Sequence, residues 1–88
     1  MATTVFNATN AAASGTVIVA AGSSKAIHLV PASGQKLDPN AEVAIYYMNG
    51  TDPVFKGVCR ADGIIIGAEG PYRIDKLPGA TFGVVSEP

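Results

Sequence analysis

Charge is what this chain has least of. Lys, Arg, Asp and Glu supply 15% of its 88 residues, while 48% are hydrophobic; an ordinary soluble domain is charged at about a quarter of its positions. Six basic residues against seven acidic ones leave a formal net charge of −1. No basic cluster exists to neutralise phosphates, so nucleic acid is not an expected partner. A single cysteine, Cys59, excludes an internal disulfide and any multi-cysteine metal site. A single histidine, His28, excludes a metal site built on several histidines of one chain. Tryptophan is absent. The longest apolar stretch, Val17 to Ala21, falls far short of the ~20 residues of a membrane span, so no membrane is expected. Met1 to Ala13 carries no Lys or Arg and no apolar core, so no secretory signal is read there and synthesis in the cytoplasm is the expectation.

A chain this small leaves much of itself at the surface. With so few charges, that surface must be built largely from Ala, Val, Ile, Ser, Thr and Gly. Solitary soluble domains keep charge outside to stay apart. A neutral surface therefore points to cover by partner subunits, and homo-oligomers are expected.

What is present is β-structure. Turn formers recur every eight to twelve residues, with β-branched runs between them. Seven strands are predicted: Thr16 to Ala20, Lys25 to Val30, Glu42 to Met48, Val54 to Arg60, Ile64 to Ile66, Tyr72 to Asp75 and Thr81 to Val85. Asn49-Gly50 is the strongest hairpin signal among the intervening turns. Strand parity places Val17, Val19, Ile27, Leu29, Val43, Ile45, Phe55, Cys59, Tyr72, Ile74, Phe82 and Val84 inside, and Lys56, Arg60, Arg73 and Asp75 outside. The expected fold is a small antiparallel β-sandwich, Ig-like or related, of seven to eight strands with an extended N-terminal arm.

The arm is residues 1–14, and the sandwich domain residues 15–88. The arm is Ala, Thr and Asn apart from Val5 and Phe6. Three readings stand side by side: a frayed terminus, a strap whose Val5 and Phe6 dock on a neighbour, and an eighth strand at a sheet edge. The strap makes Val5 and Phe6 candidate partner-binding residues. Tyr46 and Tyr47 are adjacent on one strand, so one faces in and the other out; Tyr46 is the candidate interface residue.

No catalytic constellation emerges. His28 faces away from Ile27 and Leu29 and has no nucleophile motif beside it. Cys59 shares parity with a core position, and a core cysteine is inert. The acidic residues Asp38, Asp52, Asp62, Glu69 and Asp75 sit mostly in turns, where they satisfy local backbone groups. Gly67-Ala68-Glu69-Gly70 lacks the Lys-Ser/Thr ending of a phosphate loop. No catalytic, metal or cofactor-binding residue is assigned, and the chain is read as non-enzymatic.

Asp62-Gly63-Ile64-Ile65-Ile66-Gly67, followed by Gly70-Pro71-Tyr72-Arg73-Ile74 and a closing strand, resembles the C-terminal half of small β-sandwich virion proteins of tailed bacteriophages. The opening Ser14-Gly15-Thr16-Val17 is similar as well. The resemblance runs from about Ser14 to Val85 and lacks one family feature: Ser23-Ser24-Lys25 stands where a tryptophan-containing Asp-Gly-Gly hairpin would follow the first strand. It implies a capsid decoration or cement protein in the virion, bound to the major capsid protein or other virion subunits. A tail or head-fibre adaptor is the alternative within that class. A host-surface or glycan-binding module, with Tyr46 and Tyr47 as the stacking residues, is the alternative outside it.

Overall fold

A computed structural model describes residues 2–88. Valine, isoleucine and threonine pack well on a pleated surface, and the runs rich in them form strands. In chain order these are β1 (Thr3–Thr9), β2 (Ala13–Val19), β3 (Lys25–Pro31), β4 (Val43–Asn49), β5 (Asp52–Cys59), β6 (Ile64–Ile66), β7 (Gly70–Lys76) and β8 (Phe82–Glu87). They make two four-stranded sheets, ordered β1-β8-β3-β6 and β2-β7-β4-β5. Every pairing is antiparallel. The fold is an all-β, eight-stranded sandwich.

Only β4 and β5 are consecutive strands within one sheet; every other connection passes between the sheets. Asn49 is already paired with Asp52, so that hairpin turns on Gly50-Thr51, one residue beyond the Asn-Gly centre the sequence suggests. Inward parity holds along most strands. Val17, Val19, Ile27, Leu29, Val43, Ile45, Cys59, Tyr72, Ile74, Phe82 and Val84 are all buried in one core between the sheets.

The N-terminal segment is corrected by the structure. Thr3–Thr9 is an edge strand of the first sheet, with Thr3 opposite Ser86, Phe6 opposite Val84 and Thr9 opposite Phe82. Val5 and Phe6 are half-buried against the core of their own chain. The expected boundary at residue 14 falls inside β2, and of the three readings of this segment the structure bears out the edge strand. Two register shifts let β1 bend over the sheet. A close approach makes this possible: a Cβ on Gly83 would lie 2.7 Å from the backbone of Phe6 and Ala8.

Phe55 is the second correction. Simple alternation groups it with Cys59 in the core, yet it is 60% exposed. Ile45 pairs with Gly57 but Tyr46 pairs with Phe55, which leaves Lys56 as an extra residue. That bulge reverses parity, because one added residue moves every following side chain to the other face. Gly57, at φ +143°, supplies the backbone conformation the bulge needs.

Candidate functional site

The bulge builds the most distinctive surface of the molecule. By carrying Phe55 to the outside, it places that ring beside Tyr46, edge to face at 5.7 Å between centroids. On the other side of Tyr46 lies Arg73 of β7, whose guanidinium carbon is 4.9 Å from the ring centre. Thr16 of β2 pairs with Arg73 in turn. The strand registers thus align Thr16, Arg73, Tyr46 and Phe55 in one row across the outer face of β2-β7-β4-β5.

A parallel row lies two residues away along the strands. Ser14 pairs with Asp75, Asp75 with Ala44, and Ala44 with Val58. This row is short-chained and forms a trough beside the first. At the end of this row, where the β3–β4 and β7–β8 connections meet, lies a depression of about 330 Å³, with Asn40, Glu42, Ala44, Tyr46, Asp75 and Pro78 among its walls. One ion pair joins the rows: Arg73 Nε lies 3.0 Å from one carboxylate oxygen of Asp75 and donates to the other at 3.1 Å. Both side chains are about one-third exposed. Around them Ile18 is 67% exposed, and Val58 is exposed as well.

The candidate residues thus separate. Tyr46 lies at the centre of this face, half-buried by its neighbours. Val5 and Phe6 belong to the other sheet and turn toward the core. Phe55, Val58 and Ile18 complete the apolar surface. A glycine within a predicted strand signals a bulge, and Gly57 is the cue in the sequence that points to an outward Phe55.

The groups with chemical potential are otherwise engaged. Cys59 is buried, and its thiol contacts the carbonyls of Ile27 and Arg60 at 3.6 Å. Burial, helped by the nearby Asp62 carboxylate, pushes its pKa up to about 11, which keeps the thiol protonated and unreactive. His28 is exposed and lies 3.9 Å from Glu87. Lys76 is buried; its Nζ donates to the carbonyls of Leu77 at 3.0 Å and Ala11 at 3.3 Å, and it sits 4.8 Å from the centre of the Phe82 ring. Burial lowers its pKa from the usual lysine value. Its role is to close the end of the sandwich by tying the β1–β2 connection to β7. Among the described residues no three His, Cys, Asp or Glu side chains gather where they could hold a metal. No helix among them is long and apolar enough to cross a membrane.

No known protein family, curated protein or solved structure matches this chain.

Proposed function

We propose that this chain is a non-enzymatic structural protein of a viral particle, a capsid decoration or cement protein that attaches to the major capsid protein or another virion subunit. The observation that carries the reading is the outer face of β2-β7-β4-β5, where Ile18, Tyr46, Phe55 and Val58 stand around the Arg73–Asp75 ion pair. Contiguous exposed apolar surface on a small domain marks an interaction site. Tyrosine, phenylalanine and arginine are the side chains enriched at such sites. The resemblance of the Gly70 to Ile74 strand to small phage sandwich proteins supplies the biological setting.

Attachment would stabilise the particle by mass action, because the protein would bind assembled shell in preference to free subunits. The test is quantitative mass spectrometry of purified virions that encode this chain. A shell component should be present at on the order of hundreds of copies, following the symmetry of the shell. About a dozen copies would instead indicate a tail or fibre adaptor, which obeys a different symmetry. Absence from the particle would overturn the proposal.

A further inference from the structure

We infer that the outer face of β2-β7-β4-β5 is the surface through which two copies of this chain pair, related by a two-fold axis. The two rows of this face are complementary to each other. Place an axis in the plane of the interface, perpendicular to the strands and level with Ile74. Each strand then lies over its own copy in the opposite direction, and each residue of one row meets a residue of the other. Arg73 faces the partner copy's Asp75, and Asp75 faces the partner copy's Arg73. Tyr46 stands over the small Ala44, and Phe55 over Val58. The aromatic row of each copy lies over the short-chained row of the other.

Charge favours this occupant, and the area sets how weakly it is held. The two rows hold one positive and one negative side chain, so the rows are neutral and self-complementary, as an isologous contact requires, with the exposed Arg60–Glu42 ion pair lying beyond them at the end of β4 and β5. Four strands of seven or eight residues, at about 3.3 Å per residue and about 4.8 Å between strands, present about 440 Å² in projection. Two copies bury about 900 Å² even before side-chain relief is counted, below the ~1,200 Å² of stable specific interfaces and in the range of weak, transient encounters. The pair is therefore reversible rather than obligate.

Edge-to-edge pairing through β5 is the weaker geometry. Pro53, Lys56 and the bulge at Gly57 interrupt that edge, as natural edge strands do to avoid joining. Self-pairing uses the same face as the proposed attachment to a virion subunit, so the pair and the attached form are alternatives; pairing concerns the free protein and is tested on it alone.

Sedimentation velocity of the purified chain across a concentration series tests it. The wild type should pass from monomer to dimer between about 1 and 100 μM, the weak regime expected for this area. Phe55→Glu should raise the dissociation constant at least about tenfold, whereas Ile65→Glu on the opposite face should leave it unchanged. Arg73→Glu and Asp75→Lys give the decisive experiment. Each alone places like charges against each other across the axis and should be monomeric. Mixed in equal amounts they should recover a heterodimer, because the carboxylate introduced by Arg73→Glu then meets the ammonium introduced by Asp75→Lys in the other variant. Circular dichroism confirms that each variant remains folded. A wild type that is monomeric at ~1 mM, or a dimer indifferent to Phe55→Glu, would overturn the inference. So would a mixture that stays monomeric while the wild type pairs.

Discussion

The two outer faces of the sandwich share a composition poor in charge and differ in relief. On β1-β8-β3-β6 the outward residues include Thr4, Ala26, His28 and Val85, with Ile65 the most exposed large side chain at 72%. Its His28–Glu87 contact is long, at 3.9 Å, and open to solvent. On β2-β7-β4-β5 two rings, a guanidinium and a carboxylate are packed against one another over a neighbouring trough. The first face is an even surface of small and β-branched groups; the second has a ridge and a recess. What separates them is one extra residue, Lys56, whose insertion turns Phe55 outward.

The largest effect should come from detaching β1, which would remove one edge of the first sheet altogether. Deleting residues 2–9 exposes the core beneath Val5 and Phe6, and should cost about 3–5 kcal/mol at typical side-chain burial values. Gly83→Val should act in the same direction, since its Cβ would meet β1 backbone at 2.7 Å. Urea denaturation measures both. A deletion variant as stable as the full chain would show that β1 does not belong to the sandwich.

Next in size is the contrast between neighbours on β4. Ile45→Ala, facing the core, should cost about 2–5 kcal/mol. Tyr46→Ala, facing outward on the next residue, should cost about 1 kcal/mol or less in the isolated protein, through its lost contacts with Phe55 and Arg73. Equal costs would place the ridge in the core and abolish the difference between faces.

Alkaline titration reports on the interior that both sheets share. The Cys59 thiol ionises near 9 when unfolded and at about 11 when folded. Folding thus favours the protonated form: its contribution is complete below pH 9 and is lost as pH rises through 11. About 2–3 kcal/mol should disappear across that window. Lys76 works in the opposite sense, since its folded pKa lies below the ordinary lysine value and stability gains as it deprotonates. The difference between wild type and Cys59→Ala over pH 9–11 isolates the thiol. An identical pH dependence in the two would contradict the buried placement of Cys59.

The smallest effect belongs to the even face. His28→Ala should change stability by less than about 0.5 kcal/mol, because an exposed pair at 3.9 Å contributes little. A larger loss in a thermal melt would mean that this face is also built around a specific contact.

Much of the fold is legible in the residues themselves. Seven of the eight strands follow from β-branched runs bounded by turn residues, and inward parity is right for Val17, Ile27, Leu29, Val43, Ile45, Tyr72 and Ile74. The period-2 pattern is a local property, written in neighbouring residues. The interface candidates are legible only in part. Parity puts Tyr46 on the outer face, whereas Val5 and Phe6 pack against the core of their own chain, and alternation puts Phe55 on the wrong face. Each miss has a long-range cause. Thr3–Thr9 is a strand because β8, at the other end of the chain, offers it an open edge. Phe55 is exposed because its pairing with β4 passes through a bulge.

The sequence by itself determined that this chain is β-structured, that its core is largely valine and isoleucine, and that its surface would be poorly charged. Alternation, turn chemistry and composition are enough for that, since each acts over a few residues. Tertiary structure alone decided which strands share a sheet, and hence that residues as distant as Thr16, Tyr46, Phe55 and Arg73 stand in one row. Register is settled by the best simultaneous burial of all strands, and a shift by one residue exchanges core for surface. No local pattern contains that sum, so the ridge and its trough exist only once the sheets have closed.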